Sequence, residues 1–160
     1  MRRTRTVLLM AAMMSVVLMP SAGAVSQRLA TSGVDVMVQL VDPGRGWVTQ
    51  DGVDHVRGWT ATYETTDALY GVGSLLIVVN WNLNLATGNG PLWGTMYYEF
   101  PAANGGFEGT WNAKFSAFVW SGKSQGTGFG DLEGWQLRQD IRSTGPGSDI
   151  YTGFVFNPGG

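Results

Sequence analysis

The chain has 160 residues, a length typical of one domain, and a formal net charge of −2. It contains no cysteine, which excludes disulfide bonds, thiolate metal sites and a lipid-modified N-terminal cysteine. Its one histidine excludes metal centres that need several imidazole ligands. Stability must therefore come from the packing of a core, and a domain of this size buries roughly two thirds of its unfolded surface.

The first 24 residues have the pattern of a secretory signal peptide. Three arginines within the first five residues are followed by an apolar run over residues 7–19 and by small residues at 22–24. A membrane-spanning helix needs roughly 20 apolar residues, so we expect a signal-peptide helix cleaved near Ala24 and no stable membrane span after processing. The remaining chain has seven basic and twelve acidic residues (7 − 12 = −5), which disfavours nucleic acid as a partner. We predict a secreted or periplasmic protein.

The rest of the chain alternates apolar and polar residues in short runs separated by Gly, Asn, Asp and Pro, which is typical of antiparallel β proteins. Residues 25–33 are small and polar, and they predict a flexible N-terminal arm. A first strand is predicted over residues 34–41. Its alternate positions place four aliphatic side chains on one face: Val34, Val36, Val38 and Leu40.

Later segments continue this pattern. The Asp51-Gly52 pair predicts a tight type I′ hairpin. The strongest strand is predicted over residues 74–86, residues 121–124 predict a turn, and residues 149–156 predict the last strand.

About eight short strands without an apolar stripe at helical spacing predict an all-β domain over residues 34–160. An antiparallel up-and-down β-barrel is the favoured architecture, because closure removes the exposed edges of a sheet, and a sandwich is the alternative. Alternation alone does not say which face is apolar, so a small outer-membrane barrel is also open.

Four segments in order resemble a group of small exported bacterial β-proteins of unassigned function. They are Asp-Gly-Val-Asp-His-Val-Arg-Gly at 51–58, the run from Asn82 to Gly94, Gly-Phe-Glu-Gly-Thr-Trp at 106–111, and Gly-Thr-Gly-Phe-Gly-Asp-Leu-Glu-Gly at 126–134. The last segment is also similar to the turn and strand of allene oxide cyclase-like and dirigent-like barrels. That similarity implies an eight-stranded barrel with an apolar cavity, and it carries over no catalytic residue.

Tryptophan and tyrosine side chains along the strands are the main candidates for ligand contacts. Aromatic residues in β domains mostly fill the core, but they also line cavities and stack on sugars. The predicted ligand-binding residues are Trp81, Tyr98, Trp111, Trp135 and His55.

Catalytic and metal-binding patterns are sparse, and we predict neither a catalytic residue nor a metal or cofactor. Asp51, Asp54 and His55 are close in sequence, but such a cluster in a hairpin is typical of turn chemistry. The best carboxylate pairs for catalysis come from four acids of the central meander: Glu99, Glu108, Asp131 and Glu133. If the aromatic face is the core, these acids point to water.

Two functions remain open. The favoured one is a non-catalytic exported barrel that binds a small apolar or carbohydrate ligand, or has a role in the cell envelope. The alternative is a cyclase or isomerase that acts in the barrel cavity, where geometry supplies most of the catalysis. The alternative requires a polar residue deep in an apolar pocket, and a filled interior opposes it.

Overall fold

The computed structural model describes residues 27–159, which are mostly β-strand. Nine strands, numbered in chain order, are joined by turns and by one short 3-10 helix, Pro101–Ala103. They are β1 Gln27–Asp42, β2 Arg45–Val48, β3 Val53–Asp67, β4 Gly71–Asn84, β5 Gly90–Phe100, β6 Gly105–Ser116, β7 Val119–Gly130, β8 Gln136–Gly145 and β9 Ser148–Asn157. The predicted signal peptide lies outside the described residues. No helix within residues 27–159 is long and apolar enough to cross a membrane.

The nine strands form one antiparallel sheet in which each strand from β2 onward pairs with the next. The sheet closes because β1 pairs with β9 on one side and with β3 on the other. Strand β2 continues the line of β1 along β3 and is an extra strand beside the eight that close. The predicted eight-stranded antiparallel barrel is therefore confirmed, and the sandwich alternative is wrong.

The N-terminal part of the barrel differs from the sequence prediction. Residues 27–33 are not a flexible arm, because they form the first half of β1 and pair with β9 from Gln27 onward. The predicted hairpin between β2 and β3 is present, with the Thr49 N–H donating to the Val53 carbonyl. Its turn is not type I′, because only Gly52 has a positive φ, of 77°, whereas type I′ needs two such residues.

The turn between β6 and β7 is also displaced from its predicted position. Residues 121–124 lie inside β7 instead of forming a turn. The chain reverses at Ala117 and Phe118, where φ is 49° and 66°, and Ser116 pairs with Val119 across the turn. Positive φ at both central residues is the requirement of a type I′ turn, here met without glycine.

The barrel interior is packed with aromatic and aliphatic side chains. Phe107 and Val155 have no exposed surface, and Trp111 and Tyr98 are also buried. The prediction that the aromatic face forms the core is confirmed. Apolar side chains therefore fill the inside of the barrel, whereas a barrel in a lipid bilayer presents them on its outer face.

The side chains of β1 point the opposite way from what its hydrophobic pattern predicts. Val34, Val36 and Val38 are exposed, by 41% to 69%, and Leu40 is exposed as well. Asp35 points inward instead and has no exposed surface. Because side chains alternate along a strand, a shift by one residue would reverse this arrangement. The inward contacts of β1 must therefore hold its register.

Gly33 of β1 tests this packing, because the ring of Tyr151 passes directly over it. A Cβ atom at position 33 would collide with the Tyr151 hydroxyl and the Thr66 carbonyl oxygen. Gly33→Ala should lower the free energy of unfolding by about 1–3 kcal/mol, as overpacking does in other cores. Gly145→Ala is the control, because a Cβ there meets nothing within 4 Å. Urea denaturation that gives equal losses for both variants would contradict the close approach.

Candidate functional site

A group of polar side chains lies inside the barrel where β1 closes it. The register places Asp35 of β1 between Thr65 of β3 and Asp149 of β9, and it places Gly33 between Asp67 and Tyr151 in the adjacent row. We call these side chains, with two further contacts, the closure network: Thr31, Asp35, Thr65, Asp67, Tyr98, Asp149 and Tyr151. All of them are buried.

Asp67 is the centre of one half of the closure network. Its Oδ2 atom accepts hydrogen bonds from the Thr31 hydroxyl at 2.5 Å and from the Tyr151 hydroxyl at 2.7 Å. Its Oδ1 atom accepts from the backbone N–H groups of Leu69 and Tyr70 at 2.7 and 3.0 Å. Four donors thus satisfy this buried carboxylate, which is the condition for placing such a group inside a fold.

Asp35 and Asp149 form the other half, and within residues 27–159 no basic side chain forms an ion pair with either of them. Tyr98 donates its hydroxyl to Oδ2 of Asp35 at 2.9 Å. Burial raises the pKa of both carboxyl groups, and the nearby charge of Asp35 and a hydrogen bond to it also help raise the pKa of Asp149 to about 8. At neutral pH, burial and the mutual repulsion of the two carboxylates therefore favour one shared proton in this pair.

A small cavity lies beside this acid pair. Its volume is about 20 Å³, and its walls include Asp35, Tyr98, Trp111, Ser124 and Asp149. Pockets for drug-sized ligands typically measure about 300–1,000 Å³. The interior is therefore filled by side chains, apart from a space close to the size of one water molecule.

The five predicted ligand contacts do not form one site. Tyr98 and Trp111 line the small cavity. Trp81 and Trp135 are half-buried and pack against the core from other parts of the barrel. His55 lies at the hairpin of β2 and β3, at the register position opposite Trp47.

His55 belongs to an aromatic stack. The ring of Trp47 lies parallel to it, with centroids 4.9 Å apart, and Asn82 Oδ1 is 2.8 Å from His55 Nδ1. Arg57 donates to the same Asn82 oxygen, and its guanidinium carbon is 5.4 Å from the Trp47 ring and 4.9 Å from the Trp93 ring. These contacts stabilise the β2–β3 hairpin. Nδ1 of His55 and the guanidinium group of Arg57 are therefore engaged in hydrogen bonds within the fold.

An open groove of about 880 Å³ runs over the outside of β6 to β9. Six of its polar side chains come from two rows of residues that pair across β6, β7 and β8. We define the outer groove by these six residues: Asn112, Lys123 and Asp140 in one row, and Thr110, Gln125 and Arg138 in the other. Lys123 and Asp140 form an exposed ion pair at 2.5 Å, a kind of pair that contributes little stability.

Positive charge gathers around the outer groove. Lys114 lines it beside Lys123 and Arg138, and Arg142 follows on β8 in the next row. The guanidinium of Arg28, on β1, covers the ring of Phe154, on β9, at 3.5 Å. Asp140 is the acidic side chain of the lining, so the lining itself has a net positive charge, and Glu108 is the exposed acid in the next row of β6.

An aromatic surface adjoins the outer groove. The rings of Tyr97 and Phe129 stack with centroids 4.9 Å apart and planes 14° apart. Tyr97 is partly exposed, and together with Thr110 and Leu76 it lines a second depression of about 430 Å³. Polar and aromatic contacts are thus available side by side on the outer surface.

Sequence reasoning missed the buried acids Asp35, Asp67 and Asp149. The sequence did contain a sign that Asp35 is unusual, since an acid between Val34 and Val36 interrupts an aliphatic run. Asp67 and Asp149 stand at strand ends, where an aspartate is normally explained by turn chemistry.

The acids that the sequence did single out lie elsewhere. Glu99, Glu108, Asp131 and Glu133 are all exposed. Glu99 and Glu108 lie on strand faces opposite the aromatic residues, as expected, whereas Asp131 and Glu133 lie in the turn after β7. In the described part of the chain, no group of three or more His, Asp or Glu side chains is placed to hold a metal ion.

No protein-family model matches this sequence, and no curated protein matches it significantly. Two features carry chemistry: the acid pair inside the barrel and the outer groove.

The acid pair predicts that the fold loses stability as the pH rises. The pKa of Asp149 is about 8 in the fold and 3.8 in an exposed chain, so the folded state binds the extra proton between these values. The stability contributed by this proton is complete below about pH 4 and is lost as the pH rises to about 8, by at most about 1.4 kcal/mol per pH unit. Urea denaturation at several pH values measures the slope.

Asp149→Asn keeps the size of the side chain and removes the titrating proton, so it should flatten this slope. Asp140→Asn, at an exposed acid of the outer groove, should leave the slope as in the original chain. Parallel pH profiles for the original chain and Asp149→Asn would contradict the shared proton.

Proposed function

We propose that the protein is exported, is not an enzyme, and binds a carbohydrate in the outer groove. The observation that carries this proposal is an open groove of about 880 Å³ lined by amide, hydroxyl and charged side chains on rigid strands. Such groups match the dense hydroxyl groups of a sugar, and sites on strands hold their geometry better than sites on loops. Export rests on the signal-peptide pattern of residues 1–24.

The carbohydrate class is favoured over a small apolar ligand held inside the barrel. The interior cavity of about 20 Å³ is an order of magnitude smaller than the pockets that hold such ligands. The partly exposed ring of Tyr97 beside the groove offers a surface on which the apolar face of a sugar ring can stack.

The charge around the groove favours an acidic saccharide, one that bears carboxylate or sulfate groups. Lys114, Lys123, Arg138 and Arg142 lie on the same face, and Asp140 neutralises one of them. Arginine and lysine form charge-assisted hydrogen bonds with such anions, and a positive face steers them to the site. The affinity should then fall as salt screens these charges.

The second candidate function is that of a cyclase or isomerase that acts inside the barrel. The similarity of residues 126–134 to allene oxide cyclase-like and dirigent-like barrels belongs to the same proposal. One observation favours it: Asp149 lines the interior cavity with a pKa raised to about 8, a value suited to proton transfer near neutral pH. The volume of the cavity opposes it, because the strands would have to separate to admit a substrate.

The binding proposal is tested by calorimetry with matched oligosaccharides, such as oligogalacturonate and the neutral cello-oligomers. The acidic probe should bind, and Arg138→Gln should weaken it about tenfold, the loss expected for one charge-assisted hydrogen bond. Gln125→Ala should weaken binding by a factor of a few. Raising the salt concentration should weaken binding of the acidic probe.

Gln39→Ala is the matched control, because Gln39 is an exposed strand glutamine on β1, outside the groove. It should leave the affinity unchanged. Binding of neutral probes alone would keep the carbohydrate function and overturn the preference for acidic sugars. Failure of both probe classes, or equal effects of Gln39→Ala and Gln125→Ala, would contradict the proposal.

A further inference from the structure

The indole N–H of Trp111 is a buried donor that the fold leaves without an acceptor. Trp111 is 2% exposed, and its Nε1 atom makes no hydrogen bond to any described residue. A neutral donor buried without a partner typically costs about 1–3 kcal/mol. Native structures rarely contain such groups without a bound molecule that satisfies them.

The second unpartnered buried atom is Oδ1 of Asp35, which receives no hydrogen bond from residues 27–159. A carboxylate oxygen has two lone pairs with which it can accept hydrogen bonds. Asp35 and Trp111 both line the cavity of about 20 Å³, so the residues that carry the unpartnered acceptor and the unpartnered donor border the same space.

A third polar group completes the wall. Ser124 of β7 lies directly opposite Trp111 of β6 in the register and is buried. Its hydroxyl donates to Oε1 of Gln139 at 2.7 Å, which leaves the Ser124 oxygen free to accept. The remaining walls include apolar side chains such as Met96 and Ile141, so Asp35, Trp111 and Ser124 are the residues that offer the polar partners used here.

We propose that this cavity binds one water molecule, which accepts from Trp111 Nε1 and donates to Oδ1 of Asp35 and to the hydroxyl oxygen of Ser124. The volume is just above the roughly 10–15 Å³ that one water needs, and three partners is the usual number for a buried water. Any larger ligand is excluded by size.

The water joins two polar groups that are otherwise separate. On one side are Asp35, Tyr98 and Asp149, and on the other are Ser124 and Gln139. Through it, the acid pair at the closing strand β1 becomes linked to β6, β7 and β8 on another part of the wall. The six side chains that define the outer groove take no part in this site, although Ser124 and Gln139 also border that groove.

The test is water contact measured by NMR on the unsubstituted, ¹⁵N-labelled protein. The indole N–H of Trp111 should give a cross-peak to water, and the opposite signs of its laboratory-frame and rotating-frame effects should mark a long-lived molecule. Trp81 is the internal control, because its indole already donates to Asp54 at 2.8 Å. Trp111→Phe assigns the resonance by its disappearance.

Absence of a long-lived water cross-peak at Trp111 would overturn the proposal, and so would the same cross-peak at Trp81. A crystal structure provides a second measurement that needs no variant. Density for one water within about 3.2 Å of Trp111 Nε1 is the expected result. An empty cavity, or direct contact between Nε1 and a side-chain oxygen, would overturn the proposal.

Discussion

The barrel depends on the buried carboxylate of Asp35, which accepts the hydroxyl of Tyr98 from across the interior at 2.9 Å and shares a proton with Asp149 beside it. Strand β1 is the element that closes the sheet, and its aliphatic residues would by themselves favour the opposite face inward. Turning Val34 and Val36 outward exposes apolar surface, while leaving Asp35 in solvent would cost nothing. Only hydrogen bonds that form in one register account for the arrangement observed.

Because buried side chains fill the interior, the groups available for binding lie on the outside of the barrel. Polar side chains and large rings occupy the interior, where the cavity beside Asp35 and Asp149 measures about 20 Å³ and is too small for a substrate. The strands that remain polar outside, β6 to β8, bring Asn112, Lys123 and Arg138 into one groove. In a filled barrel, the core that fixes the strands also fixes the groove on their outer face. The proposed binding groups would therefore be held rigidly, as recognition requires.

The alternation of the chain was enough to predict the strands and the inward position of Trp111, because side-chain direction in a strand has a period of two. Closure was favoured over a sandwich for a different reason, the removal of exposed sheet edges. Alternation failed at β1, where local hydrophobicity competes with contacts to Tyr98, 63 positions away in sequence. The outer groove could not be predicted for a related reason. Thr110, Gln125 and Arg138 become neighbours only through the register, and the type I′ turn at Ala117 and Phe118 that sets part of it has no glycine to reveal it.

The most direct test of the central claim is a double-mutant cycle between Asp35→Asn and Tyr98→Phe, with the free energy of unfolding measured in urea at constant pH. If the contact between these side chains holds the closing strand, the two substitutions should couple by about 1 kcal/mol or more. Losses that add to within about 0.3 kcal/mol would contradict the account, because they would mean that the two side chains act independently in the folded barrel.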